Sequence, residues 1–260
     1  MNLLKINKSK LFEKRHRQHK LFEDEFVKRD IKFIVLHHTQ ADSIEEAIDL
    51  YKDPGVSAHY VIDESGVIFL LVAEENIAFH AGYSFWNGFY ALNQSSIGIE
   101  FLNKDPYKIN YSKKQMQSAC ELLHYLCKKY NIEQKNIVGH SDIAHFDDTK
   151  LLGRKDDPSY LFDWSFLAKN NIGIFPEISV ENDKILYEFG QNHHKISIIK
   201  KDLRYFGYLI RNFDDNFDEE LKFVVNSFNI RFNSSKINDG GKIWYLSSNE
   251  ILKKLTTDTV

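Results

Sequence analysis

The stretch Ile31-Lys32-Phe33-Ile34-Val35-Leu36-His37-His38 decides the reading of this chain. A β-rich apolar run of this length reads as a buried strand, and here it delivers two imidazoles at its end. Side chains alternate across a strand, so His37 and His38 are not expected to face one cleft together. Spacing alone does not choose between them.

Working outward from that strand, Ser43 with Glu46 three residues on is a capping-box signature and predicts a short helix through about residue 52. Residues 58–63 and 67–72 read as strands joined by a turn at Glu64-Ser65-Gly66. A Gly- and aromatic-rich loop with His80, Gly82, Phe85, Trp86 and Gly88 follows, and then another strand, Ser96-Ile97-Gly98-Ile99-Glu100-Phe101-Leu102. Ser112 with Gln115 caps the clearest helix, whose Met116, Ala119, Cys120, Leu123, Leu126, Cys127 and Tyr130 keep helical spacing. Residues 136–139 form a short strand leading into His140, and a loop runs to Asp157-Pro158 before a short helix near Trp164. Strands alternating with helices predict an α/β domain with a mixed central sheet flanked by helices, mixed because the hairpin supplies antiparallel pairs.

Cys120 and Cys127 fall on one helix, about 10 Å apart along its axis at 1.5 Å per residue, too far for a disulfide. They read as core thiols.

Past about residue 170 the pattern changes. Three amphipathic helices are predicted near 196–208, 218–232 and 246–255, with little β character. The boundary falls between 169 and 180, where Asn170, Asn171, Gly173 and Pro176 cluster. The expected organisation is a basic arm over 1–30, a catalytic domain over 31–170 and a small C-terminal helical domain over 178–260.

At 260 residues, 43% hydrophobic and 27% charged, the chain has the composition of a globular protein with one substantial core and a small second domain. A net charge of −3 provides no global positive field to draw it to nucleic acid. No apolar run is long enough for a transmembrane segment. Residues 8–20 are dense in Lys, Arg and His and read, as charge runs usually do, as a solvated arm, with a surface-docking segment as the alternative; no apolar run follows as a secretory signal requires.

Three loop-proximal positions carry the candidate chemistry. They are His37 or His38 at the end of the first strand, His140 after the fourth, and Asp157 in Arg154-Lys155-Asp156-Asp157-Pro158. Two imidazoles and a carboxylate suit a tetrahedral zinc with one position left for water. Eleven histidines are scattered along the chain, so buried or surface histidines of no special role are the competing reading.

Several ordered motifs make the sequence resemble the type 2 N-acetylmuramoyl-L-alanine amidases, the AmpD- and AmiD-like group that shares its fold with the peptidoglycan recognition proteins. They are Val35-Leu36-His37-His38-Thr39, Val56-Ser57-Ala58-His59, Phe79-His80-Ala81-Gly82, and Leu92-Asn93-Gln94-Ser95-Ser96-Ile97-Gly98-Ile99-Glu100. Gly139-His140-Ser141-Asp142-Ile143-Ala144 and Gly153-Arg154-Lys155-Asp156-Asp157-Pro158 complete the set.

The resemblance implies one zinc ion held by His37, His140 and Asp157, with Glu100 as catalytic base and Lys155 at the oxyanion. It implies cleavage of the amide between N-acetylmuramic acid, anhydro or not, and L-alanine in peptidoglycan or muropeptides. His38, Trp86 and Asn93 are candidate substrate contacts, Trp86 and Phe85 standing equally for loop core. His59 and His80 are read as structural hydrogen-bonding residues, Asp142 as a partner that orients the loop or a ligand, and His145 as a surface residue.

The chain departs from the family pattern twice. Ala58 stands where phage-type members have tyrosine, which places the chain with the AmpD and AmiD branch. Residues 145–152 form an insertion beside the cleft. Leu203-Arg204-Tyr205-Phe206-Gly207-Tyr208 and Val224-Val225-Asn226-Ser227-Phe228-Asn229 look like the pattern of three-helix peptidoglycan-binding modules. Tyr208 and Phe228 are read equally as core of such a domain. A wall-binding module favours the envelope or secretion, and the missing signal favours the cytoplasm. A monomer is expected, and so is a fragment ending near residue 170 that folds and cleaves soluble muropeptides. The alternative is a non-catalytic peptidoglycan receptor on the same fold; such receptors commonly lose a zinc ligand, and here the full set is present.

Overall fold

The computed structural model describes residues 29–51, 55–145 and 155–257, together with the backbone of a short strand at 6–8. Most of the expected basic arm, and residues 146–152 of the insertion, therefore lie outside the described residues.

The central sheet is mixed. Its strands are β1 (Ile6–Lys8), β2 (Phe33–Thr39), β3 (Tyr60–Ile62), β4 (Ile68–Leu70), β7 (Ser96–Leu102) and β8 (Ile137–Gly139), in the order β1-β4-β3-β7-β2-β8. Only the β3–β4 hairpin is antiparallel among these pairs, its turn closed by Asp63 and Val67. The decisive strand β2 pairs in parallel with β7 on one side and β8 on the other. Both of its faces are covered, which is why its sequence is continuously apolar rather than alternating.

The two faces bury different partners. Ile34 and Leu36 of β2, with Ile97, Ile99 and Phe101 of β7, pack under α2 (Lys113–Tyr130) and α4 (Trp164–Lys169). Ser112 caps α2 through its hydroxyl, which accepts the Gln115 amide at 3.0 Å, while the Gln115 side chain turns inward to the carbonyls of Ile62 and Leu102. Cys120 is buried and Cys127 half-buried on this helix, both as free thiols. Between β2 and β3, α1 (Ile44–Leu50) starts at Ser43, whose hydroxyl accepts the Glu46 amide.

The opposite face carries Phe33, Val35 and Val138, and it is closed by the C-terminal helices α5 (His194–Phe206), α6 (Glu219–Phe232) and α7 (Leu246–Thr257). Sheet residues and helix residues form one continuous apolar cluster there, running from Phe33 and Trp86 through Leu203 and Phe228 to Leu255.

Two strand pairs escape the sequence pattern. β5 (Phe85–Trp86) and β6 (Phe89–Tyr90) flank Asn87-Gly88, which turn with φ of 48° and 89°. Positive φ at both central residues is the hairpin geometry that Asn-Gly favours. β9 (Ile185–Glu188) and β10 (Ile243–Tyr245) pair antiparallel inside the supposedly all-helical region. They are far apart in sequence, so neither carries a local hairpin signal.

Candidate active site

Parallel pairing sets the site. β2 and β7 align His37 with Glu100 and Val35 with Gly98, so His37, Glu100 and Gly98 share one face at the carboxyl end of the sheet. β8 ends at Gly139, and the single-turn α3 (His140–Ile143) begins at once with His140. Asp157 returns along the same edge, its carbonyl accepting the Ser141 amide at 2.9 Å.

These elements bring three ligand-type atoms together. Nδ1 of His37 lies 2.9 Å from Oδ2 of Asp157 and 3.0 Å from Nδ1 of His140, and Nδ1 of His140 lies 3.0 Å from the same carboxylate oxygen. All three residues are buried and converge as a potential metal-binding group. His37 is thereby chosen over His38.

The outer partners allow the ring protons to be assigned from the hydrogen-bond network. Nε2 of His140 faces the Ala81 carbonyl at 3.2 Å and so is the protonated nitrogen. Nε2 of His37 faces Nδ1 of His80 at 3.0 Å, Nε2 of His80 faces the Ser96 hydroxyl at 3.2 Å, and that hydroxyl donates to the Leu92 carbonyl at 2.6 Å. Donation running from His37 to His80 to Ser96 to Leu92 satisfies every member of the chain. Both Nδ1 atoms are then left with bare lone pairs pointing at a carboxylate. Three lone-pair donors about 3 Å apart repel unless a cation joins them, and two imidazoles with one carboxylate are a zinc-type set.

Electrostatics agree with that picture. Burial holds the His37 imidazole below its ordinary pKa, aided by neighbouring His140, so it stays neutral. Burial would raise the Asp157 carboxyl, but His140 and His37, as charged or N–H-donating neighbours when no cation is bound, outweigh it and hold it well below the usual carboxylate range; a bound cation would take over that role. Burial pushes the Glu100 carboxyl upward, against the opposing pull of His37. A carboxylate raised in this way is better matched to accepting a proton near neutral pH.

Around this cluster lies a cleft of about 360 Å³ lined by His37, His38, Glu100, Tyr107, Lys155 and Asp157, among others. Lys155 reaches it from an exposed position. His38 also borders it, which corrects the expectation that the two histidines would part. The cleft straddles the end of β2, so side chains from both faces of that strand reach it. The His38 ring stands edge-on to Tyr107 at 5.6 Å, and its Nδ1 is buried without a hydrogen-bond partner. Tyr107 in turn donates to Asp156 at 2.9 Å.

Other expected contacts fall elsewhere. Trp86 is fully buried, with its indole N–H on the Lys135 carbonyl and its ring against Phe206 and Tyr208. It is core and does not face the cleft, and Phe85 is buried too. Asn93 is outside the cleft lining, and its carboxamide oxygen accepts the amides of His80 and Ala81, fixing the loop that carries His80. His145 is buried rather than superficial, bridging the carbonyls of Asp142 and Leu209. Tyr208 and Phe228 are fully buried core residues.

His59 and His80 have the structural roles read for them. The Gly98 amide donates to Nδ1 of His59, and Nε2 of His59 sits 3.1 Å from the Asn76 carbonyl. Burial lowers the His59 pKa to about 3. Gly98 is needed beneath His80, because a Cβ there would come within 2.5 Å of the imidazole.

Three residues with clear roles went unread in the sequence. The Thr39 hydroxyl donates to Glu100 at 2.8 Å and lies 2.6 Å from the Tyr51 hydroxyl. Thr39 had a signal, since it follows His37 by two on the same strand face. Tyr51, just past α1, had none. Arg29, assigned to the solvated arm, instead donates to the backbone carbonyls of Glu74, Asn76, Asn93, Gln94 and Ser96. It ties the loop beneath His59 to the loop beneath His80.

Two buried imidazoles, of which His37 is held neutral, with an ionised aspartate and a raised glutamate around one open cleft define a hydrolytic centre. Residues 27–160 match the family model described as N-acetylmuramoyl-L-alanine amidase. The AmiD amidase of Escherichia coli K12 is 31% identical over 226 residues, covering 80% of this chain and 77% of that protein. The 1,6-anhydro-N-acetylmuramyl-L-alanine amidase AmpD of the same organism is 36% identical over 42% of this chain and 55% of its own length.

The solved complex of E. coli AmiD with anhydro-N-acetylmuramic acid-L-Ala-D-γ-Glu-L-Lys superposes with a TM-score of 0.71 at 26% identity, covering 92% of this chain and 93% of that one. AmpDH3 of Pseudomonas aeruginosa shares the fold, with a TM-score of 0.68 at 24% identity over 93% of this chain and 97% of that one. The chain belongs to the type 2 N-acetylmuramoyl-L-alanine amidase family. It is an amidase.

Proposed function

We propose that this amidase is zinc-dependent and that it cleaves the bond between the muramic acid lactyl group and L-alanine in peptidoglycan fragments. The observation that carries the zinc reading is the convergence of two imidazole Nδ1 atoms and one carboxylate oxygen within about 3 Å. Zinc bound by His37, His140 and Asp157 would supply Lewis acidity and lower the pKa of a water towards neutrality. Glu100, in register with His37, takes the proton of the attacking water and passes it to the departing alanine amine. Lys155 at the cleft rim stabilises the oxyanion that develops on the lactyl carbonyl oxygen. His38 and Tyr107 also line the cleft, where they are placed to contact substrate.

The substrate class rests on the family and on the ligand named for the AmiD complex. Mass spectrometry of digests of paired anhydro and reducing-end muropeptides, with chelator and with zinc restored, tests both halves of the proposal. Free stem peptide released only in the zinc-replete arm is the expected result. Equal release with the metal stripped would overturn the zinc reading, and no release from either muropeptide would overturn the substrate.

The helical segment after residue 178 is proposed to hold the enzyme to the wall, on its resemblance to peptidoglycan-binding modules, which also favours an envelope location. Sedimentation of the full chain with purified sacculi tests this. A protein that stays wholly in the supernatant would reject it.

A further inference from the structure

α3 has only four residues, too short to be stable by itself, because nucleating a turn fixes several residues for a single hydrogen bond. It nevertheless carries His140 at its first position. Its orientation therefore comes from outside, and the contacts that supply it converge on Asp142, which is fully buried.

Oδ2 of Asp142 accepts the Gly139 amide at 2.8 Å and Nη1 of Arg231 at 2.8 Å. Oδ1 accepts the Tyr208 hydroxyl at 2.7 Å. Nη2 of Arg231 continues to the carbonyl of Ile137, at the start of β8, at 3.1 Å. The guanidinium lies 4.4 Å over the Trp164 ring, which fixes its plane. Arg231 thus grips the chain on both sides of His140, once at Ile137 and once at Asp142. Both Arg231 and Tyr208 come from beyond residue 178, in α6 and just after α5.

We infer that Arg231 and Tyr208 are positioning residues for His140, acting through the buried Asp142, so that the C-terminal helices complete the amidase metal site. The inference rests on the zinc reading of His140 given above. Without Arg231 the Asp142 carboxylate loses its tie to α6 and the Ile137 carbonyl loses its donor, so the segment carrying His140 is no longer held on either side. A functional group displaced by more than about 0.5 Å no longer meets its target geometry. Loss of such outer partners typically costs 10–100-fold in metal affinity.

Zinc affinity, read by competition with a chromophoric chelator, and the visible spectrum of the cobalt-loaded protein test the inference without reference to turnover. Arg231→Met keeps much of the packing and removes the charge. Tyr208→Phe removes a single hydroxyl and serves if the first variant folds poorly. Leu252→Ala, a core change in α7 remote from Asp142, controls for general destabilisation.

The expected result is zinc binding weakened about 10–100-fold by Arg231→Met and by the lower end of that range in Tyr208→Phe. An altered cobalt spectrum should accompany it, with parental binding in Leu252→Ala. Parental affinity and spectrum in both Asp142-linked variants would overturn the inference, as would equal weakening in Leu252→Ala. A parental chain that binds no zinc would overturn the metal reading itself, an outcome visible before any variant is compared.

Discussion

The Thr39 hydroxyl donates to Oε2 of Glu100 across 2.8 Å, from the strand that carries His37 to the neighbouring strand. Since its one proton goes to the carboxylate, Thr39 accepts from the Tyr51 hydroxyl 2.6 Å away. Both residues are buried, so Glu100 is aimed by an ordered pair of hydroxyls and not by water.

Thr39→Val keeps the shape and deletes the donor. A hydrogen bond to a charged group contributes about 1.5–3 kcal/mol, so turnover should fall roughly ten- to a hundredfold while bound zinc stays at parental stoichiometry. That bond favours the ionised form of Glu100, which burial already pushes up. Deleting it raises the carboxyl further, and the acid limb of kcat/KM moves to higher pH. Tyr51→Phe should move it the same way by less. An unshifted acid limb in Thr39→Val would show that Thr39 does not set the base.

Ligand and base should separate cleanly. His37→Ala, His140→Ala and Asp157→Ala each break the convergent trio, and elemental analysis should find zinc lost. Glu100→Gln should keep zinc and lose about 10²–10⁴-fold in turnover, the usual contribution of a general base. Asp156→Ala should keep zinc, since its carboxylate engages Tyr107 instead. Full zinc in His140→Ala would remove that residue from the ligand set.

What the sequence made legible follows the range of each interaction. β2, β7, the caps at Ser43 and Ser112, and α2 are local patterns of burial and capping, and they are read within a residue or two. The candidate ligands are legible as ordered motifs; spacing alone leaves His37 or His38 open, the resemblance implies His37, and the register of His37 with Glu100 agrees with it. Trp86 misled because an aromatic in a Gly-rich loop looks the same whether it meets sugar or core. Its burial depends on Gly207, where a Cβ would come within 2.7 Å of the indole. Arg29 misled for the reverse reason, a basic residue beside a basic run whose five carbonyl acceptors are all remote in sequence.

Acid should unfold the metal-free protein through His59. Burial holds its pKa at about 3, against about 6.5 for a free imidazole, so the folded state refuses a proton that the unfolded state accepts. Its contribution is present above pH 6.5 and is lost as pH falls towards 3. The slope is about 1.4 kcal/mol per pH unit for one histidine. Urea midpoints measured between pH 7 and 4 should fall along that slope or more steeply. His59→Gln should be less stable at pH 7 but show a slope shallower by one proton. Identical slopes for the two proteins would refute the assignment.

A fragment ending near residue 170 keeps every proposed ligand, Glu100 and Lys155, and by sequence alone it should fold. The packing argues the opposite. Removing the later residues uncovers Phe33, Val35, Trp86, Leu92, Val138 and Ile143, which share one apolar cluster with the C-terminal helices. Burying one large apolar side chain contributes about 1.5–3 kcal/mol, so losing even part of that cover rivals a total stability of about 5–15 kcal/mol. Asp142 would also lose both Arg231 and Tyr208, and breaking a buried ion pair from one side typically costs about 3–5 kcal/mol more. The fragment should therefore aggregate, or remain soluble without near-UV circular dichroism or cooperative melting. Zinc should fail to rescue it, because the helix bearing His140 is the element left without support. A monomeric fragment that melts cooperatively and cleaves muropeptides at the parental rate would show that the sheet face closes without the helices.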